Sequence, residues 1–212
     1  MRGTKVVKGD NTTAVGRPRD PDVECRALET ALEIFSRKGW FGFTIGAVAQ
    51  RAKVGKSAIY LRWGSREQLL LDAFREIRPF EETSPDVCSV REAVAAHLVQ
   101  RVTVYFTPVG LALMRLQVEY EADPEQFDAS WRTVIGASLE TTRALLTSAS
   151  EKGELVAGAP TSAIAEALDG VCLARAVATP VSERSSVLSE LDGWAQSVIA
   201  HFVEPWLAVE PA

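Results

Sequence analysis

Residues Thr44 to Leu70 read TIGAVAQRAKVGKSAIYLRWGSREQLL, and this stretch decides the fold. Thr44 is an N-cap residue placed ahead of a short helix, Ile45–Ala52, because its hydroxyl can accept a bond from the first unpaired backbone amides. A second short helix runs from Gly55 to Trp63, and Gly64-Ser65 breaks the chain. Ser65, followed by Gln68 three residues on, starts a further helix from Arg66 to about Arg78 in the manner of a capping box. Ile45, Val48, Ala49, Val54 and Ile59 are spaced as the facing positions of two helices joined by a tight turn, with Ala49 small where they cross. That is the spacing of a helix-turn-helix, whose second helix enters the major groove of DNA. Its outward positions are Lys56, Ser57, Ala58, Tyr60 and Arg62, short residues interleaved with phosphate-reaching ones, so the helix can approach base edges closely. Trp63 reads as a core wedge against the helix that follows.

The charge distribution agrees with a polyanionic partner for this end alone. Residues 1–66 hold 13 Lys+Arg against 6 Asp+Glu, a net of +7, within a chain whose total is −5; residues 67–212 therefore carry −12. Such asymmetry is a statement about partners rather than fold. Residues 1–20, rich in Gly, Thr, Asp, Asn, Lys and Arg, have almost nothing to bury and are expected to form a disordered basic arm. Its Arg17-Pro18-Arg19 could reach an adjacent minor groove or serve only as a solubilising tail.

Outside this arm the pattern is helical almost throughout. Pro21 opens a helix with Val23, Ala27, Ala31, Ile34 and Phe35 on its apolar face, expected to stop at Gly39. Further helices are expected at about 88–106, 108–122, 124–151, 161–178 and 183–207, separated by Pro- and Gly-containing segments. The architecture expected is all-α: a disordered arm at 1–20, a helix-turn-helix domain at 21–66 and a helical body at 67–212.

Several classes can be set aside. The longest uncharged stretch, Val102 to Met114, has 13 residues and contains Pro108, too short for a membrane span of about 20. The N-terminal stretch lacks the apolar run of a secretory signal. Cys25, Cys88 and Cys172, odd in number and far apart in apolar helical contexts, suit buried thiols in a reducing cytoplasm. His97 and His201 lack companions at metal spacing, so neither a metal nor a cofactor is expected. Catalytic triads, Glu-x-x-His pairs and phosphate-binding glycine loops are missing in both residues and spacing, which makes an all-α enzyme the remote reading.

With Ala31-Leu-Glu-Ile-Phe35, Gly39, Thr44-Ile45, Val48-Ala49, Ala52, Val54, Lys56, Ile59-Tyr60, Trp63 and Ser65-Arg66-Glu67-Gln68-Leu69 in hand, residues 24–70 resemble the TetR family of bacterial transcriptional regulators. The resemblance implies an all-helical homodimer with three DNA-binding helices and a divergent ligand-binding body. It implies a repressor released from a pseudopalindromic operator by its ligand, with an activator or a partner-regulated member as the alternative. On these grounds Thr44, Lys53, Lys56, Ser57, Ala58, Tyr60 and Arg62, with Arg17 and Arg19, are the expected DNA-binding residues. Two positions depart from the family pattern: Lys53 stands where Gly is common in the turn, and Gly55 where Ser commonly caps the next helix. A side chain at positive φ costs about 1 kcal/mol, so an altered turn is expected at Lys53, whose cation would replace the lost hydroxyl contact.

The body is less explicit. Polar Gln117 and Tyr105 beside apolar Leu113 and Met114, with His97 and Trp131 nearby, suit a cavity for a small, mainly apolar ligand; they suit plain core packing as well. Ile164, Leu168 and Val171 form one apolar stripe and Leu191, Trp194, Val198 and Phe202 another. In the family, two such helices from each subunit pack as a four-helix bundle, a symmetric contact between twins, which makes these seven the expected dimer interface.

Overall fold

A computed structural model describes residues 21–77 and 89–208; the basic arm with Arg17 and Arg19, and Cys88, lie outside the described residues. The N-terminal helices are α1 (Pro21–Gly42), α2 (Ile45–Ala52), α3 (Lys56–Trp63) and α4 (Arg66–Ile77). The body consists of α5 (Val90–Tyr105), α6 (Pro108–Ala122), α7 (Pro124–Trp131), α8 (Ala137–Glu151), α9 (Thr161–Ala178), α10 (Arg184–Ser189) and α11 (Leu191–Phe202). No strand forms among the described residues; one antiparallel bridge pairs Leu155 with Leu207. No helix among them is long and apolar enough to cross a membrane.

Two cores organise these helices. The first gathers Ala27, Leu28, Ala31, Leu32 and Phe35 of α1 with the inner faces of α2, α3 and α4. Phe35 stands edge-on to Phe43 and Phe74, with centroids 6.1 and 6.0 Å away, an arrangement aromatic quadrupoles favour. This core continues into Ala112, Leu113 and Leu116 of α6 and Phe127 of α7. Packing therefore does not divide at residue 66: Leu69, Leu70, Ala73 and Phe74 of α4 lie in the same core as the helix-turn-helix. The second core joins α5, α8, α9 and α11 through residues such as Leu98, Leu146, Leu168 and Ile199.

Three helices differ in extent from the sequence pattern, and one cap differs in its make-up. The first helix does not stop at Gly39 but kinks there, at φ 66° and ψ −172°, and makes one more turn to Gly42. The expected helix at 124–151 is three pieces, because a π-helical turn, Arg132–Gly136, separates α7 from α8. The expected helix at 183–207 breaks at Glu190 and ends in a tight turn at Glu204–Trp206. Ser65 accepts from the Gln68 amide (3.2 Å), yet the Gln68 side chain turns to Asp72, so the capping box is half made. A complete one occurs instead at Ser89 and Glu92, ahead of α5.

The thiols also divide. Cys172 is buried and Cys25 exposed, contrary to the expectation of buried cysteines, since Cys25 lies on the outer side of α1's first turns.

Candidate nucleic-acid interface and ligand cavity

The interface begins with the Thr44 hydroxyl, which accepts from the Ala47 amide at 3.1 Å and fixes the start of α2. Lys53 ends α2 in the left-handed region, φ 56° and ψ 43°. It is the non-glycine residue with positive φ among the described residues. Lys53 thus takes the left-handed conformation that favours glycine, and the Val54 amide donates to the Ala49 carbonyl at 2.9 Å. Gly55 then starts α3 without any side-chain cap.

On α3, Ile59 and Trp63 point into the core while Lys56, Ser57, Tyr60 and Leu61 are exposed and Ala58 and Arg62 half-buried. Lys56 leans back across the start of α2: a Cβ on Gly46 would lie 3.3 Å from its ammonium nitrogen. Thr44, Lys56 and the first amides of α2 thus form one surface. Leu61, 90% exposed, was not anticipated; its signal was an apolar residue at an outward position between Tyr60 and Arg62. Two nearby arginines are committed elsewhere. Arg51 is paired with Glu33, whose carboxyl that guanidinium holds below the usual carboxylate range. Arg66 lies 3.8 Å over the Trp40 ring and donates to the carbonyls of Trp40 and Phe43, which pins α4 to the end of α1.

In the body, a cavity of about 400 Å³ lies between α5, α6, α8 and α9. Tyr105, Leu113, Met114, Gln117 and Trp131 all line it. Gln117 accepts from the Trp131 indole nitrogen at 2.7 Å, and Trp131 stacks on Tyr120 with centroids 4.9 Å apart. His97 is not on the wall. It is buried behind it, where its Nε2 accepts from Arg101 Nε at 2.9 Å, so its part is to hold Arg101 rather than to meet a ligand.

Arg101, Ser138 and Asp169 are among the wall residues that sequence reasoning missed, with Ile135, Leu139, Glu166, Gly170 and Leu173. Arg101 is 2% exposed. It reaches Asp169 at 3.1 Å, the Ser138 carbonyl at 2.8 Å and the Thr142 hydroxyl at 3.1 Å. Thr142 donates in turn to Asp169 at 2.9 Å. A buried ion pair is tolerable only when hydrogen bonds satisfy its remaining groups in this way. Beside it, burial raises the Tyr105 phenol above its usual range and pushes the Cys172 thiol up to about 12.

The expected dimer residues are placed differently. Ile164, Leu168, Leu191 and Val198 belong to the second core, buried against helices of their own chain, and Val171 and Trp194 pack partly against it; only Phe202 is exposed. The broad apolarity of α9 and α11 reflects two faces, and the residues singled out lie mainly on the inner one. The outer face of α9 carries Ala174 and Val177, while its exposed Gly170 and Leu173 also line the cavity, and the outer face of α11 carries Gly193, Gln196 and Ala200. Among the described residues nothing approaches a Cβ built at Gly193, so their packing does not call for glycine there.

The cavity and the helix-turn-helix meet through α6. Leu113, Met114 and Gln117 face the cavity, while Arg115 donates to the Ser36 carbonyl at 3.1 Å and Glu119 accepts from the Trp40 amide at 3.0 Å. Both grips close on the kink of α1. A Cβ at Gly39 would stand 2.6 Å from the Arg115 guanidinium, so glycine serves both the positive φ and the close approach.

This architecture has known relatives. HTH-type transcriptional regulator YdeS of Bacillus subtilis, itself uncharacterized, is 30% identical over 82 residues, 39% of this chain and 41% of that protein. HTH-type transcriptional regulator AqdR of Rhodococcus erythropolis is 26% identical over 130 residues, 61% of this chain and 62% of that protein; the chain thus spans less than two thirds of either. The transcriptional regulator FadR of Bacillus subtilis, solved with stearoyl-CoA, superposes with a TM-score of 0.64 at 17% identity, over 85% of this chain and 97% of that one. Residues 27–73 match the family of bacterial regulatory proteins named for tetR, and residues 84–191 match the tetracyclin repressor-like C-terminal domain. The two matches run in the order of the two cores and take in more than half of the chain: it belongs to the TetR family of bacterial transcriptional regulators.

Proposed function

We propose that the chain is a ligand-responsive repressor that binds a pseudopalindromic operator as a homodimer. The observation that carries this reading is the grip of α6, which touches the cavity on one side and the kinked end of α1 on the other. In the free dimer, α3 enters the major groove. Lys56, Thr44 and Tyr60 meet phosphates, with Lys53 and Arg62 adding charge, while Ser57, Ala58 and Leu61 face base edges, Leu61 being suited to a thymine methyl.

The twin covers the outer faces of α9 and α11. Glycine inside a helix costs about 0.5–1 kcal/mol against alanine, and close approach of a second copy at Gly193 offsets that. Two-fold symmetry then sets the half-sites one helical turn, or a multiple, apart. A ligand in the cavity that prefers a shifted α6 moves the α1 kink and changes the separation of the two α3 helices. It can move that equilibrium only by its differential affinity for the two states. The stearoyl-CoA held by the FadR relative supports a small molecule with a large apolar part.

The test is a mobility shift on DNA from upstream of the chain's own gene. Wild-type protein should retard the fragment, and Lys56→Ala with Tyr60→Ala should weaken binding by at least 100-fold. Sedimentation should report an unchanged dimer for both. Equal retardation by the double variant, or a monomer at micromolar concentration, overturns the reading.

A further inference from the structure

The cavity is left open along one edge. Of the residues that line it, Glu166, Gly170 and Leu173 are exposed, and all three stand on α9. Those contributed from α5 through α8 are buried or half-buried. Helix α9 packs against α5, α8 and α11, and its inward side is taken up by Leu168 and Cys172 in the second core. Its outward side is the rim of the cavity.

Glu166, Gly170, Leu173 and Val177 follow one another at intervals of four, three and four, the spacing of a single helix face. The first three border the cavity, and Val177, 70% exposed, continues the line past its end. From Gly170 to Ala178 the exposed residues are Gly170, Leu173, Ala174, Val177 and Ala178, none of them charged. The charge in that span, Arg175, is half-buried and lies over the Trp194 ring. At the other end of the rim Glu166 is paired with Arg143 of α8.

Charge decides what such a rim suits. The body as a whole is strongly acidic, so two copies repel wherever their carboxylates meet. In a two-fold contact the same patch serves both partners, and a residue near the axis meets its own copy. A charged residue there would face a like charge, whereas Gly170, Leu173, Ala174 and Val177 carry none. The line that borders the cavity is therefore suited to a twin.

We infer that a second copy completes the cavity: packed on the outward side of α9, the twin covers the rim at Glu166, Gly170 and Leu173. One chain then holds an open groove, and the dimer holds two closed ligand sites. Closing the rim takes more apolar surface of a bound molecule out of water, so uptake and dimerisation strengthen each other by the same factor. This rests on the ligand-responsive dimer proposed above and adds that its two halves are coupled.

The probe is N-phenyl-1-naphthylamine, an uncharged fluorophore that brightens on leaving water, titrated into the full chain at pH 7. Sedimentation on the same samples reports the dimer. As wild-type protein is diluted through dimer dissociation, probe affinity should fall at least tenfold, and saturating probe should tighten the dimer. Val177→Arg places a charge on the outward side without touching the cavity wall. It should give a folded monomer, by circular dichroism, that binds the probe at least tenfold more weakly than the wild-type dimer. Leu139→Trp, on the wall, should lose the probe and remain dimeric. A monomer, diluted or Val177→Arg, that binds the probe as tightly as the dimer overturns the inference and leaves the ligand-responsive reading standing. A Val177→Arg chain that stays dimeric does the same, because the twin then lies elsewhere, and an unfolded one leaves the dilution series to decide. Probe retained by Leu139→Trp binds outside the cavity and also overturns the inference. A wild-type monomer at micromolar concentration, or a wild-type dimer that takes up no probe, brings down the dimer or the ligand site itself, and the inference with it.

Discussion

The outward face of α3 and the inward wall of the cavity are both made of helix positions, but they draw on opposite sides of the helix. On α3 the core side is fixed by Ile59 and Trp63, and the side offered to DNA is what remains. In the body the side that would meet a ligand is also the side that must pack, so Leu139 and Leu168 look alike in sequence although one lines a cavity and the other fills a core. Charge follows the same division. Arg51 and Glu33 pair at the surface, where water screens them, whereas Arg101 and Asp169 pair where little water reaches.

The largest test of this contrast is removal of one partner from each pair. Arg101→Met leaves Asp169 buried without its cation and should cost about 3–5 kcal/mol. At about 2–4 °C per kcal/mol for a chain of this size, the melting temperature should fall by about 6–20 °C. Adding Asp169→Asn should recover much of that, and Arg51→Met should hardly move the midpoint. Comparable losses from both arginine variants would break the comparison.

A smaller effect separates stability from binding within the DNA-facing region. Lys53→Gly relieves a left-handed lysine and should raise stability by about 0.5–1 kcal/mol. It also removes a cation near the phosphates, so retardation should weaken and the slope of log affinity against log salt should drop by about 1. A thermal melt and a salt titration on the same preparation check both signs.

The smallest effect is on pH. Arg51 lowers the Glu33 carboxyl in the folded state, so its contribution is present above the unfolded carboxylate range and is lost as pH falls through the lowered folded value. Glu33→Gln should therefore flatten the acid limb of the stability curve slightly and leave the neutral plateau in place, read by thermal melts from pH 7 to pH 3.

Legibility followed the same line. The helix-turn-helix was readable because Thr44, Ala49 and Gly64 constrain a short segment whose partners are close in sequence. Tyr105, Gln117 and Trp131 stood out as polar-tipped residues on apolar stripes. Arg101, Ser138 and Asp169 did not, because an arginine inside a helix ordinarily faces water, and pairing Arg101 with a carboxylate 68 positions away requires the α5–α9 packing. The stripes on α9 and α11 showed that both helices are apolar on more than one side, but periodicity alone does not say which side a second chain would cover.

The π-helical turn at Arg132–Gly136 bears on how the cavity wall tolerates a change in chain length. A π-turn pairs each residue with the fifth along rather than the fourth, and so takes up about one residue more per turn than an α-turn. A one-residue deletion there that restored regular winding would leave α8 in nearly the same phase, with Ser138 and Leu139 still on the cavity wall. The same deletion inside α8 would instead rotate every residue beyond it by about 100°. The turn is therefore the place in this stretch where length can vary without re-aiming the wall.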